Sequence, residues 1–215
     1  GQDRVARETV SLTPSAMRRL CEAAARPGPL GARDAALVEM LYGCGLRASE
    51  LAGLDLSGCM LDDPTDPHLI VRGKGDKIRP VAVPRQALSA LMAYLGTARP
   101  ELRAHDRSPR SGQNRHRDAD AVFLNARGRR LTRGSIWRIV SGAARRAGLL
   151  DDGGRVFPHA LRHSCGTHLI QSGVDIRYVQ AHLGHASPTT TEIYTHVSAA
   201  HLRDDFDRAH PRSRR

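Results

Sequence analysis

The sequence predicts an α+β fold that is mainly α, with one small antiparallel sheet. Three observations predict it. Segments with apolar residues at helical spacing occupy both ends of the 215-residue chain. One stretch, residues 68–83, alternates β-branched and polar positions around a glycine-containing turn. The order is therefore helices, a hairpin, then helices, without the strand–helix alternation that builds a parallel sheet.

Residues 1–10 are polar and read as a linker or truncated end. Thr13-Pro14 opens the first helix, with Thr13 as cap and Pro14 at the first helical position. Leu20, Ala23 and Ala24 form its apolar side, and Pro27-Gly28-Pro29 stops it. A second helix is expected from about Ala32 to Tyr42, with Ala36, Leu37, Met40 and Leu41 inside. Gly43-Cys44-Gly45 breaks it, and Arg47 to Leu51 forms a short helix beyond the break. His68 to Arg72 and Ile78 to Val83 are strands joined by the turn Gly73 to Lys77, and Pro84 ends the pair. Leu88 to Leu95 is helical. Residues 105–118 (HDRSPRSGQNRHRD) offer no side chain for a core and read as a flexible basic insert. Apolar patterning resumes at Val122-Phe123-Leu124, so the insert lies within one domain. Leu131 to Ala147 contains a helix with Ile136, Trp137, Ile139 and Val140 inside. Helices follow at Pro158–Gln171, at Asp175–Leu183 (ended by Gly184) and at Thr189–Thr195. Ala199 to Arg208 is an amphipathic tail helix with Ala199, Leu202 and Phe206 in one stripe. The domain proper is expected over residues 11–198, followed by the tail helix and basic end, 199–215.

Apolar residues make up 40% of the chain, enough to exclude disorder throughout. No run approaches the roughly 20 apolar residues of a membrane span, and no secretory signal opens the sequence, so a cytoplasmic protein is expected. Cys21, Cys44, Cys59 and Cys165 lie far apart with no C-x-x-C pair, which argues against a zinc ribbon or a disulfide scaffold. They read as reduced, mostly buried thiols. Lys plus Arg outnumber Asp plus Glu by 33 to 22, a net charge of +11, and only Lys74 and Lys77 of those 33 are lysines. Arginine forks onto phosphates, so a polyanion, first of all nucleic acid, is the expected partner. A coding bias explains the choice of Arg over Lys but not the net charge.

Several residues point to chemistry. His159 and Arg162 stand at i and i+3, which puts imidazole and guanidinium on one helix face, suited to an anionic oxygen. Arg47 and Glu50 are also one turn apart. They form either a surface ion pair, worth about 0.3–0.5 kcal/mol, or a fixed arginine pose in a phosphate site; the glycine-rich break just before Arg47 favours the second. Lys74 sits at a hairpin tip in a chain that otherwise uses arginine, which suggests a task arginine cannot perform: giving up a proton to a leaving oxygen. His185 follows Leu183-Gly184, and Tyr194 lies nine residues further on. His163, His168, His182 and His196 lack the carboxylate or thiol spacing of a metal site and read as hydrogen-bonding residues. Walker A, G-x-S-x-G and H-E-x-x-H motifs do not occur.

In order along the chain stand Gly45-Leu46-Arg47-Ala48-Ser49-Glu50-Leu51, Gly73-Lys74-Gly75, Pro158-His159-Ala160-Leu161-Arg162-His163, Leu183-Gly184-His185 and Thr190-Thr191-Glu192-Ile193-Tyr194-Thr195-His196-Val197. These five blocks resemble the catalytic domain of the tyrosine recombinases, the phage-integrase family, over about residues 10 to 211. The C-terminal block and the ending Ala209-His210-Pro211-Arg212 are similar to the Xer subgroup, which resolves bacterial chromosome dimers. The resemblance implies that Arg47 and Arg162 clamp the scissile phosphate, with Glu50 in support. It implies that His159 and His185 hydrogen-bond the phosphate, that Lys74 protonates the departing 5′ oxygen and that Tyr194 is the nucleophile. It implies a double-stranded DNA recombination site as substrate, a tetramer of this chain or a paralogous recombinase on that DNA, a DNA translocase as a further partner, and a place in the bacterial nucleoid. No metal and no cofactor are implied. The family's N-terminal DNA-clamping domain is expected to be absent from this chain. A phage or mobile-element integrase, a type IB topoisomerase-like enzyme and a catalytically silent DNA-binding regulator remain the alternatives.

Overall fold

The computed structural model describes residues 11–63, 65–107, 118–150 and 156–184, together with 204, 207 and 208. Its element order is three helices, a three-stranded antiparallel sheet, then helices again, as the patterning predicts.

Helix α1 (Pro14–Ala24) starts as expected: the Thr13 hydroxyl accepts from the Ala16 N–H at 3.2 Å and Pro14 occupies the first turn. It buries Met17, Leu20, Cys21 and Ala24. Helix α2 (Pro29–Gly43) begins three residues before the expected Ala32. Pro29 does not prolong the stop; it opens the helix, because a first-turn residue needs no N–H partner and its φ is already helical. This helix is buried on nearly every side and packs against α1 and the helices that follow the sheet. After the break comes α3 (Ala48–Gly53), with Arg47 as its cap residue rather than its first turn.

The sheet has order β1-β2-β3, from β1 (Cys59–Met60), β2 (His68–Arg72) and β3 (Ile78–Ala82). Leu69 pairs with Val81 and Val71 with Arg79. Leu69, Val71 and Val81 face the core, while Ile70 faces outward, the half-buried alternation that defines a one-sided sheet. The two-residue β1 is too short to leave a periodic signal and was not expected from sequence.

Helix α4 (Arg85–Ala93) does not end near Leu95 but continues through a wide π turn, Tyr94–Ala98, into α5 (Arg99–Ala104). Pro100 is tolerated because it falls in the first turn of α5. Tyr94 justifies the extension: it is fully buried, stacks on Phe123 at 5.3 Å, and its hydroxyl accepts the Leu124 N–H. Val122-Phe123-Leu124 is buried throughout. Residues 108–117, most of the basic insert, lie outside the described residues.

Helix α6 (Arg133–Arg146), capped by Thr132, buries Ile136 and Val140 as expected. Trp137 corrects the expectation: it is 37% exposed and packs against Phe157 rather than entering the core. Helix α7 (Pro158–Gln171) has the expected bounds, and its Ser164 hydroxyl accepts the Leu12 N–H, tying the start of the chain to it. Helix α8 (Ile176–Leu183) is capped by Asp175 and closed by Gly184 at φ +64°. The expected helix at 189–195 lies outside the described residues. Of the tail, Asp204, Asp207 and Arg208 are helical. The Asp207 carboxylate accepts the Arg85 N–H at 2.7 Å, which sets an anion on the N-terminus of α4 in the same chain.

Among the described residues no helix is long and apolar enough to cross a membrane. All four cysteines are free, and three of them, Cys21, Cys44 and Cys165, are buried. Burial pushes the Cys59 and Cys165 thiols up to about 12, so both stay protonated and unreactive.

Candidate active site

The site begins at the break between α2 and α3. Gly45 holds φ +58°, and a β-carbon there would stand 2.5 Å from the Leu183 side chain. Only glycine lets this link pass so close to the end of α8. The turn delivers Arg47 to the head of α3, half-exposed, and puts Glu50 one turn later beneath it, with 1% of its side chain exposed. Glu50 accepts the Arg47 backbone N–H at 2.8 Å and its guanidinium at 2.8 Å. Buried Glu50 therefore holds Arg47 in a fixed pose, which a solvated surface pair would not do. Arg47 also donates to the Gly184 carbonyl at 3.4 Å.

Arg162 reaches the same place from α7. It is 4% exposed and donates to the carbonyls of Gly45 and Leu183, joining the α2–α3 link to the end of α8. Burial, then the neighbouring Arg47, lowers its pKa to about 10, which leaves it charged at neutral pH. His159, one turn earlier, is exposed. Desolvation, then Arg162, His163 and Arg47, holds its imidazole below the usual 6.5, so it is neutral at pH 7 with one N–H to donate and one nitrogen free to accept. Arg47, His159 and Arg162 all line one cleft of about 590 Å³, whose other wall carries Arg133, Trp137 and Phe157.

One further arginine belongs to this group. Arg79 on β3 donates to both Glu50 oxygens, at 2.7 and 3.1 Å. Glu50 thus serves two guanidiniums. Burial pushes its pKa up, but the bonds from Arg79 and Arg47 outweigh that and hold it below its ordinary 4.5. Among the described residues, one carboxylate stands amid Arg47, Arg79 and Arg162, which leaves a net positive pocket whose charges are fixed before any anion arrives. Behind it, His182 is fully buried. Desolvation, followed by Arg79 and Arg162, drives its pKa down to about 3, so it adds no further charge.

Sequence reasoning missed Arg79, Arg133 and the Trp137–Phe157 pair. A signal existed for Arg79: strand alternation sets it on the same face as buried Val81, and an arginine on an apolar strand face calls for a carboxylate partner. Arg133 and Trp137 stand at i, i+4 on α6, a face the apolar count assigned to the core. Lys74 lies in the short turn Lys74–Asp76 between β2 and β3, where the hairpin reading put it. His185 and Tyr194 lie outside the described residues. His163 is exposed, and His168 is buried with its Nδ1 2.9 Å from the Tyr42 hydroxyl. Among the described residues no three His, Cys, Asp or Glu side chains gather at metal-binding distance.

The chain is 47% identical over 190 residues to tyrosine recombinase XerD of Mycobacterium tuberculosis, a match covering 87% of this chain and 55% of the relative. It is 44% identical over 207 residues to XerD of Bifidobacterium longum, covering 94% and 63%. The chain thus spans little more than half the length of these curated relatives. Among solved structures, the XerA recombinase superposes with a TM-score of 0.64 at 33% identity, covering 93% of this chain and 64% of that one. The XerH site-specific recombinase, in a post-cleavage complex with its difH substrate, superposes with a TM-score of 0.66 at 27% identity, covering 94% and 54%. The sequence profile of the phage integrase family matches residues 11–201. That span begins two residues before the cap of α1 and takes in Arg47, Arg133 and Arg162 of the cleft, and the chain belongs to the phage integrase family.

Proposed function

We propose that this chain is the catalytic domain of a site-specific tyrosine recombinase, which cuts and rejoins double-stranded DNA through a 3′-phosphotyrosine link. The observation that carries the reading is the convergence of Arg47 and Arg162 on one cleft, each pinned by protein groups rather than by solvent.

The family resemblance supplies the roles of the residues in the reaction. The Tyr194 oxygen attacks phosphorus, the P–O5′ bond breaks, and the departing oxygen takes a proton from Lys74. Attack adds negative charge to the non-bridging oxygens. Cations already fixed in place stabilise that charge more than they stabilise bound DNA. Neutral His159 donates to a phosphate oxygen or accepts the tyrosine proton, and a charged imidazole could do only the first. His185, directly after the Gly184 carbonyl that Arg47 touches, completes the phosphate contacts. The phosphotyrosine link conserves the energy of the broken bond, so a DNA hydroxyl reverses the step without ATP. Metal and cofactor have no part in it.

The Xer relatives support chromosome-dimer resolution as the biological task, in the nucleoid, by a tetramer of this chain with itself or a paralogous recombinase, activated by a DNA translocase. Residues 11–198 form the catalytic unit, 105–118 a basic insert, and 199–215 the tail. The test is a nicked suicide substrate that loses the 5′ product and traps the covalent adduct. Wild-type chain is expected to form the adduct, and Tyr194→Phe, which removes one hydroxyl, to form none. Recombinant product, rather than plasmid relaxation alone, separates this reading from a topoisomerase.

A further inference from the structure

We propose that Arg79 is a positioning residue that locks the Lys74 hairpin onto the arginine cleft through Glu50. The assignment rests on the functional reading above, with Lys74 as the proton donor.

Among the described residues, Leu69, Val71 and Val81 anchor the base of the hairpin in the core, but its tip has no such packing. Beyond β2 its described tip residues, Gly75, Asp76, Lys77 and Ile78, are exposed, Ile78 by 61%. The Arg72–Asp76 ion pair is exposed at both ends and joins the hairpin only to itself. Contact with the rest of the site comes at Arg79, whose side chain is 11% exposed and whose two terminal nitrogens each meet one oxygen of Glu50. Gly73, the residue before Lys74, packs on this same joint: a β-carbon there would stand 3.3 Å from Arg79 Nη1 and 3.6 Å from Glu50 Oε1. On its other side the Arg79 guanidinium fills the space beside Gly184, where a β-carbon would stand 2.5 Å from its Nε. One side chain therefore ties together the segments that carry Lys74 and Arg47 and the end of α8 at Gly184. The joint needs arginine: two parallel N–H bonds fix direction as well as distance, and an ammonium supplies charge without the fork.

The test compares two nicked DNA substrates, one with the ordinary 5′ oxygen and one with sulfur as the leaving atom, which departs without a proton. Arg79→Lys is expected to keep its DNA affinity within about twofold of wild type, to cleave the oxygen substrate about 10- to 100-fold more slowly, and to cleave the sulfur substrate within about threefold of the wild-type rate. Equal slowing on both substrates would mean that Arg79 acts on the phosphate clamp and not on the lysine, and would overturn the assignment. So would wild-type rates on both. Gly73→Ala presses on the joint from the opposite side without removing a charge. It carries the test if Arg79→Lys fails to fold: slowing confined to the oxygen substrate supports the assignment, and any other pattern overturns it. A wild-type chain that cleaves neither substrate overturns the functional reading as well, which separates the two failures.

Discussion

Glu50 shows how much rests on one carboxylate. It is the acceptor for Arg47 and Arg79 at once, and Arg162 stands close enough to feel it. Glu50→Gln keeps the shape and removes the charge, leaving the guanidiniums to repel one another in a partly desolvated pocket. The expected loss of folding stability is about 3 kcal/mol, measured by denaturant unfolding at pH 7. The pH dependence has a definite sign. The folded pKa of Glu50 lies below its ordinary 4.5, so its contribution is complete above that pH and is lost as pH falls through the folded value. The Gln variant should therefore lose less stability than wild type on acidification below pH 4.5. Half of this arrangement was legible in sequence: the i, i+3 spacing of Arg47 and Glu50 and the glycine break before them. The identity of the Arg79 partner was not, because Glu50 lies 29 residues away and only the folded strand brings them together. The arginine excess was also only half informative. Arg33 donates to the Leu124 carbonyl and the Asp34 carboxylate, and Arg99 to the carbonyls of Ala119 and Ala121, a structural use that composition cannot separate from phosphate binding.

At the level of elements, the sequence carried most where a cap and a periodic face coincide. Thr13-Pro14, Pro158 and Asp175 each mark the start of an observed helix. It carried least where tertiary contacts override local signals, as in the π turn held by Tyr94, and in β1, which exists only as a partner for β2. Trp137 was assigned inward by its spacing, yet the cleft wall claims it. The tail offers an element-scale test. Asp207 supplies the anion that Pro84, which has no polar side chain, cannot give to the N-terminus of α4. Asp207→Ala should cost about 1 kcal/mol or less. It should also speed limited proteolysis of residues 199–215 while leaving cleavage within the core unchanged. If the tail is cut no faster than in wild type, this contact does not hold it.

For the whole molecule, the net charge of +11 has to be reconciled with a site that uses only a few cations. On the proposed function a DNA channel accounts for the excess, because phosphates far from the scissile one need neutralising too. About six phosphate contacts give a slope of about −5 in log K against log salt. Affinity measured by fluorescence anisotropy across a salt series should show it, and a flat response would make the charge merely compositional.

The central claim is that the cleft arginines act on the transition state more than on bound DNA, and Arg47 is the place to measure it. Half-exposed Arg47 can be changed to lysine while Glu50 keeps its bonds to Arg79. Single-turnover cleavage of the nicked substrate should then slow by about 10²–10³-fold, with DNA affinity at the same salt within about fivefold of wild type, since one contact among many is a small part of binding. A rate that falls no further than the affinity does would contradict the account.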